Sequence, residues 1–559
     1  MRKKQSISRL LAVLLAASMA ATVASCGQEE ASQPAEAESS SAETSADAGS
    51  EAAAEEGPWY KYPETVTLTR AQETINATQW PEGDNEESNV WTRAAKDQFN
   101  IDLQNYWATD TSQYHEKINI SIASQDLPDV FTVDSNQFAQ VVEAGMVQPL
   151  DEAYEKNASD LLKQIMEADP VGFDSGRVDG QLMALSKQHF GTISTLNCVW
   201  IRDDWLQNLG LSAPTTMDEL VNICEKFTTE DPDGNGVDDT YGLAVDKSIN
   251  SLLQLAPAYH ANPGMWIRNA EGQIEYGSIQ PEMKTALAAF QDWYSRGIIS
   301  TEFGIKDGAK ISEDIVSGKV GVHITGSSFG YSPGTDVVKR NGAEAVFYPY
   351  AIPSSDDEPA MLNAPWPVSR YMVVSKDCEH PEAAIRMVNL YVHEMNESLG
   401  EEYDSFAKNE VKWGATPFDV NNPDADYAQA VAIIDAIETG DDSKLLPDQL
   451  GKYQYVVKWR DEKDPDSVGY WTQVGPGGAY EVLKPFVDNK QYVLTEFRGV
   501  STPTMVDKQS SLDTLETEAF TKIVMGEESL DSFDTFVENW KALGGDDITK
   551  EMNEAYPAE

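Results

Sequence analysis

The amino-acid sequence predicts an α/β fold made of two lobes. Its 559 residues exceed the span of a single hydrophobic core, so two domains or one large bilobal unit are expected. Strand-like and helix-like patterns alternate between residues 65 and 133, an order that is typical of a parallel sheet with right-handed crossovers. A second group of strand and helix patterns begins near residue 195 and indicates a second sheet.

Residues 1–25 have the features of an export signal. Basic residues precede an apolar run, residues 10–24, that is too short to span a bilayer comfortably. Val-Ala-Ser precedes Cys26, as in a lipobox, so Cys26 is predicted to carry a lipid anchor; the alternative is an ordinary cleavage site with an incidental cysteine. Residues 26–61 are predicted to be a disordered acidic linker, because residues 27–57 contain no basic and no aromatic residue.

Residues 62–188 are predicted to form the first part of lobe 1. Their short apolar strand ends at Val133, and Asp134 and Asn136 follow it directly. Ligands of open α/β sheets bind beyond the carboxyl ends of the strands, so both side chains are candidate ligand-binding residues. Trp80, in the loop after the first predicted strand, is a candidate for the same reason.

Residues 189–362 are predicted to form the first part of lobe 2. Trp200 lies near the end of the strand that enters this lobe, and a helix begins at the acidic residues after Arg202. Thr216 and Glu219 have the spacing of a capping box and predict the start of a second helix.

An Asp- and Gly-rich loop follows that second helix. Oxygen-bearing residues recur at the spacing of an EF-hand calcium loop, and Gly236 stands where such a loop bends sharply. Gly242 replaces the glutamate of the twelfth position, which favours a fixed structural ion over a sensor. A metal-free turn between helix and strand is the alternative. The candidate calcium ligands are Asp231, Asp233, Asn235, Val237 and Asp239.

Several segments resemble extracellular solute-binding proteins of carbohydrate ABC importers, of the large lipoprotein type. The resemblance is carried by WIRDDWLQNLGLSAPTTMDEL, by DPDGNGVDDTYGL, by LPDVF and GKVGVHITG, and by the C-terminal KIVMGEESLDSFDTFVENW. It implies a type II periplasmic-binding-protein fold, in which hinge strands join two α/β lobes. It also implies that the acidic loop holds a structural calcium ion and that Trp200 contacts sugar.

The C-terminal part is predicted in two segments. Residues 363–505 are expected to return to lobe 1, with excursions on the core fold, and residues 506–559 are expected to form C-terminal helices. Trp366 stands between two prolines just before the returning strand and is a further candidate for the cleft.

Composition excludes one class of partner and leaves catalysis without support. The formal charge of −52 provides no basic stripe for nucleic acid. The sequence contains no zinc-protease motif, nucleophile elbow, Walker A sequence or dinucleotide fingerprint.

The sequence thus predicts a monomeric, lipid-anchored protein outside the cytoplasm that binds an oligosaccharide between its lobes and delivers it unchanged to an ABC permease. Aromatic rings stack on sugars, and polar side chains pair with hydroxyls. A peptide- or other solute-binding lipoprotein and a secreted enzyme that acts on polysaccharide are the alternatives. For each aromatic candidate the alternative is core packing, and for Arg202 it is a salt bridge to Asp203, Asp204 or Glu219. The candidate ligand-binding residues are Trp80, Asp134, Asn136, Trp200, Arg202, Trp266, Tyr331 and Trp366.

Overall fold

A computed structural model of the protein describes residues 57–74, 80–188, 191–398, 405–406 and 414–558. The predicted export signal, Cys26 and most of the predicted linker lie outside these residues. Among the helices that the structure describes, none is long and apolar enough to cross a membrane.

The strands are short and spread along the whole chain. In chain order they are β1 (Val66–Thr74), β2 (Ile101–Asp110), β3 (Val130–Val133), β4 (Arg177–Val178), β5 (Gln181–Leu182), β6 (Leu185–Gln188), β7 (Asn197–Arg202), β8 (Tyr241–Leu243), β9 (Trp266–Arg268), β10 (Ile274–Tyr276), β11 (Val320–Gly326), β12 (Phe347–Tyr350), β13 (Leu362–Ala364), β14 (Val368–Val374) and β15 (Tyr492–Leu494).

The α-helices alternate with these strands in the first three quarters of the chain and dominate the last quarter. They are α1 (Val90–Ala94), α2 (Thr111–Ser124), α3 (Ser135–Glu143), α4 (Asp151–Asn157), α5 (Asp160–Glu167), α6 (Pro170–Asp174), α7 (Thr192–Thr195), α8 (Asp203–Asn208), α9 (Met217–Thr229), α10 (Asn250–Leu253), α11 (Pro281–Ser295), α12 (Gly308–Val316), α13 (Gly334–Asn341), α14 (Pro381–Asn396), α15 (Ala425–Thr439), α16 (Pro447–Glu462), α17 (Val468–Val474), α18 (Ala479–Asp488), α19 (Pro503–Val524), α20 (Ser532–Trp540) and α21 (Asp546–Ala555).

The first sheet is the centre of lobe 1. Its strand order is β2–β1–β3–β14–β6, with β1 parallel to β2 and β3, and β14 antiparallel to β3 and β6. Alternate side chains point to opposite faces: Leu68 packs in one core with helix α14, and Ala71 packs in another with α2 and α3. Both faces are therefore covered by helices, as in other sheets built from crossover connections.

The second sheet is the centre of lobe 2 and has the order β12–β7–β11–β8. Strand β7 is antiparallel to both of its neighbours, and β8 is parallel to β11. Helix α9 begins at Thr216 with the predicted capping box, in which Thr216 and Glu219 each bind the other's backbone N–H group. The predicted mixed α/β architecture with a sheet in each lobe is confirmed.

The segment 363–505 is divided between the lobes, which differs from the prediction that it returns to lobe 1. Strand β14 and helix α14 do pack in lobe 1. Helices α15 to α18 instead contribute Ala430, Val456 and Leu483 to the core of lobe 2, because the chain crosses over again at residues 421–424. Helices α19 to α21 pack in that same core.

Candidate functional site

Three connections join the lobes, and their described residues are 191–196, 365–367 and 421–424. Gly191 has a φ of 92°, a left-handed backbone conformation that favours glycine. A Cβ atom at Gly191 would lie 1.9 Å from the carbonyl oxygen of Pro423, so the first and third connections lie directly against each other. These adjoining connections are the hinge region.

Three of the predicted binding residues lie together near the second connection. Asp134 caps helix α3, and Asn136 Oδ1 accepts a hydrogen bond of 2.8 Å from the backbone N–H of Ser501. The ring of Trp366 lies 6.0 Å from the guanidinium carbon of Arg498, in the same loop as Ser501. Asp134, Asn136 and Trp366 therefore lie near one another, beside the loop that contains Arg498 and Ser501.

A cavity of about 500 Å³ lies in lobe 2 beside the hinge. It is bounded by the end of α7, the start of β7, the segment around α10, strand β13 and one face of α19. Below, this space is called the hinge cavity. Its polar lining residues are Thr195, Asn197, Ser248, Asn250, Gln254, Tyr276, Asn363, Asp513, Glu516 and Thr517, and its apolar or backbone lining comes from Leu253, Pro263, Gly264, Met265, Ile352, Leu362 and Pro365.

Glu516 is the buried acid of the hinge cavity. Its Oε2 accepts a hydrogen bond of 3.0 Å from the Tyr276 hydroxyl, and its Oε1 accepts one of 2.8 Å from the Ser278 hydroxyl. Burial raises the pKa of Glu516 to about 7, against these two hydrogen bonds. The group therefore changes charge near neutral pH.

Other acceptors in the cavity wall have no hydrogen-bond partner among the described residues. Gln254 Oε1 and Asn363 Oδ1 are buried, and neither makes a hydrogen bond within the described structure. A buried acceptor without a partner costs free energy, on the order of 1–3 kcal/mol. Both oxygens are closed off from the cavity space in this conformation, so a donor from a ligand reaches them only if the side chain turns.

Replacing Glu516 by glutamine is expected to stabilise the protein at pH 8 and to have little effect at pH 4.5. The folded-state pKa is raised above 4.5, so the folded protein is destabilised as pH rises through the window from 4.5 to about 7. The difference in unfolding free energy between variant and wild type should grow by about 3 kcal/mol across that window. Urea denaturation at several pH values measures it.

The matched control for this test is Glu518→Gln, which removes an exposed carboxylate from the same helix. If the unfolding free energies of the wild type and of Glu516→Gln change in parallel from pH 4.5 to 8, Glu516 is not a buried acid with a raised pKa, and the assignment is contradicted.

Trp200 and Trp266 lie in the core of lobe 2 and not at its surface. Trp200 is fully buried, its indole N–H donates to the carbonyl groups of Thr325 and Gly326, and its ring packs on Phe329. Trp266 packs between Tyr276 and Trp540. Neither indole presents a free ring face to a ligand in this conformation, so the core-packing alternative describes both.

Arg202 is paired inside lobe 2. Its guanidinium group donates two hydrogen bonds, of 2.8 and 2.6 Å, to the carboxylate of Asp204 and lies over the ring of Trp205. Of the three acidic partners considered from the sequence, the structure selects Asp204. The paired guanidinium is enclosed in the protein and lies away from the hinge cavity lining.

Tyr331 and Trp80 are partly buried against neighbouring segments. The Tyr331 hydroxyl donates to Gln473 Oε1 at 2.9 Å, and its ring meets that of Tyr470 edge-on. Trp80 packs on the core of lobe 1, close enough to Gly414 that a Cβ atom there would lie 2.8 Å from the indole. Neither residue lines the hinge cavity.

None of the candidate ligand-binding residues predicted from the sequence lines the hinge cavity. Asn197, Gln254, Asn363 and Glu516 are single polar residues in four separate parts of the chain, and no local motif connects them. One signal was available: Asn363 and Pro365 directly precede Trp366, which the sequence had already placed at the cleft.

The acidic loop brings three carboxylates together around Asn235. The side-chain amide of Asn235 donates to Asp233 Oδ2 at 2.7 Å and to Asp239 Oδ1 at 3.3 Å, and its backbone N–H donates to Asp231 Oδ1 at 3.1 Å. Burial and the neighbouring charges of Asp231 and Asp239 raise the pKa of Asp233. The loop therefore concentrates negative charge at one point.

The donors of this loop are of the kind that calcium prefers, namely carboxylate, amide and carbonyl oxygens. Gly236 has the predicted positive φ, 77°. Within the described part of the chain, no group of three or more His, Cys, Asp and Glu side chains is already arranged to hold a metal. The donor chemistry fits calcium, although the carboxylates bind the Asn235 amide in this conformation.

Two α/β lobes, three connections between them and a polar cavity beside the hinge region are typical of type II periplasmic solute-binding proteins. The chain belongs to the bacterial extracellular solute-binding protein family, whose family model matches residues 84–394.

Relatives and solved structures agree with this assignment. Lipoprotein LipO of Bacillus subtilis (strain 168) is 25% identical over 479 residues, which cover 80% of this chain and 85% of LipO. The polygalacturonan/rhamnogalacturonan-binding protein YtcQ of the same organism is 27% identical over 230 residues, 40% of this chain and 44% of YtcQ. An HMO-binding, ABC-transporter-associated solute-binding protein from Bifidobacterium longum infantis ATCC 15697 has a similar fold, with a TM-score of 0.63, 17% identity, and coverage of 88% of this chain and 98% of that one.

Proposed function

We propose that this protein is the lipid-anchored, extracytoplasmic substrate-binding component of an ABC importer and that it binds an oligosaccharide. The observation that carries the proposal is the hinge cavity, whose wall combines hydroxyl, amide and carboxylate side chains next to the connections between the lobes. Sugar sites need such groups to pair with ring hydroxyls. The names of YtcQ and of the Bifidobacterium protein, which describe binding of glycans, support the same ligand class.

In this function the ligand is trapped and not changed. Its hydroxyl groups pair with the polar side chains that line the hinge cavity, and the lobes close over it by small backbone rotations at the connections near Gly191. Bound sugar favours the closed form and so increases its population. The closed form is the one that an ABC permease accepts. A lipid on Cys26 and the acidic linker hold the monomeric protein beside that permease.

A screen of ligands tests this function. The protein is heated with oligosaccharides, peptides and polyamines in separate wells, and oligosaccharides are expected to raise its melting temperature while the others do not. Stabilisation by peptides or polyamines alone would support the solute-binding alternative. Shorter products recovered by chromatography after incubation with a glycan panel would show a glycan-degrading enzyme and contradict the proposal.

The acidic loop is proposed to bind one structural calcium ion. Asp231, Asp233, Asn235 and Asp239 would supply side-chain oxygens, and Val237 its carbonyl oxygen. When bound, the ion neutralises the carboxylates that now repel one another. The loop shares no residue with the hinge cavity, so calcium would stabilise lobe 2 without touching the sugar.

Removal of calcium with EGTA is expected to lower the melting temperature by at least about 2 °C, because an ion bound only by the folded state stabilises it by mass action. Asp231→Asn should abolish this response. Asp238→Asn, which removes the adjacent exposed carboxylate of the same loop, should retain it. Identical melting curves for the wild type in calcium and in EGTA would contradict a calcium site.

A further inference from the structure

The lining of the hinge cavity carries negative charge and no positive charge. Asp513 and Glu516 lie one turn apart on helix α19, and both face the cavity. Among the residues that the structure describes, no lysine, arginine or histidine lines it. A ligand with a carboxylate would therefore meet two carboxyl groups without a cation to compensate for them, and a like charge brought near a buried charge is strongly disfavoured.

The acidic groups of the cavity are already engaged by donors from the protein. Both oxygens of Glu516 accept hydrogen bonds, from Tyr276 and Ser278, and Asp513 accepts one of 2.7 Å from the amide of Gln509. The acceptors that remain without a partner, on Gln254 and Asn363, belong to neutral amides. Uncharged hydroxyl groups, which both donate and accept, can pair with these amide and carboxylate groups without a compensating cation.

We propose that the hinge cavity selects neutral oligosaccharides and rejects oligosaccharides of uronic acids. The inference rests on the proposed function and narrows its substrate class. It separates this chain from YtcQ, whose name describes binding of polygalacturonan, a polymer of acidic sugars. The expected difference in ligand preference arises from the charge of the cavity wall and not from the shared fold.

Calorimetric titrations with two sets of ligands of three to six sugar units test the inference. One set is neutral, made of fructo-, malto-, xylo- and galacto-oligosaccharides. The other is acidic, made of oligogalacturonates and oligoalginates. At least one neutral ligand is expected to bind at least tenfold more tightly than every acidic ligand. Equal or tighter binding of an acidic ligand overturns the inference and leaves the proposed function standing. The absence of binding in both sets overturns the proposed function itself.

A variant with an added positive charge tests the electrostatic cause. Thr517→Lys places a cation in the cavity wall one turn after Asp513, a spacing at which the two side chains attract each other on a helix. Thr514→Lys adds the same charge to the exposed side of the same helix and is the matched control. Affinity for oligogalacturonate is expected to rise at least tenfold in Thr517→Lys relative to Thr514→Lys, and equal affinities in the two variants would overturn the assignment.

Discussion

Replacing Trp200 by alanine is expected to destabilise lobe 2 by about 3–5 kcal/mol, the usual cost of emptying a large aromatic site in a core. Trp200 is fully buried in β7, between β11 and β12, and its indole donates to two carbonyl groups at the end of β11. Urea denaturation followed by circular dichroism measures the loss.

Trp200→Phe separates a structural role from a ligand-binding role. The phenyl ring keeps most of the packing and loses only the indole hydrogen bonds, so this variant should lose far less stability than Trp200→Ala. An alanine variant that unfolds like the wild type but no longer binds sugar would contradict the structural assignment and restore Trp200 to the binding site.

Gly242→Glu is expected to destabilise the protein by more than about 3 kcal/mol, although it supplies the glutamate that the twelfth position of an EF-hand loop usually carries. A Cβ atom at residue 242 would lie 2.2 Å from the carbonyl oxygen of Cys224 in α9, because β8 packs directly on that helix. The obstacle is backbone, which cannot move aside as a flexible side chain can.

The comparison with Gly242→Ala identifies the cause. Both variants add the colliding Cβ atom, so both should show a similar loss of stability in urea, and the glutamate should give no gain in calcium affinity. Tighter calcium binding by a normally stable Gly242→Glu variant would show that the loop closes as in an EF-hand, contrary to its packing against α9.

Signals that act over a few residues predicted local structure well. The capping box at Thr216 depends on a three-residue spacing, and the bend at Gly236 depends on the backbone freedom of glycine. The first sheet was predictable for a similar reason, since its strands and helices alternate along the chain. The positions of Asp134 and Asn136 were predictable because both residues come just after the end of one such strand.

The position of Trp200 could not be predicted by the same rule. The rule that ligands lie beyond carboxyl ends applies to parallel strands, whereas β7 is antiparallel to both neighbours. Its amino end, at Asn197, borders the hinge cavity, and its carboxyl end, at Arg202, leads into α8. An aromatic residue near the carboxyl end of β7 therefore packs in the core.

The hinge cavity depends on long-range packing. Asn197 and Asn363 precede the second connection and Glu516 follows the third, so the three residues line one cavity only because the chain leaves lobe 2 and comes back to it. The crossing at residues 421–424 has no strong sequence signal, and without it helices α15 to α18 cannot be assigned to the correct lobe. No single segment of the sequence predicts the cavity or the charge of its lining.

Calorimetric titration of the wild type and of Asn363→Leu with the tightest-binding oligosaccharide tests the central claim most directly. Leucine matches asparagine in size and removes the amide group from the cavity lining. Binding at one site per chain is expected, with affinity at least tenfold lower in Asn363→Leu, no loss of folding stability, and sugar recovered intact. Equal affinity in the two proteins, or recovery of the sugar as fragments, would contradict an account in which the hinge cavity holds an oligosaccharide and releases it unchanged.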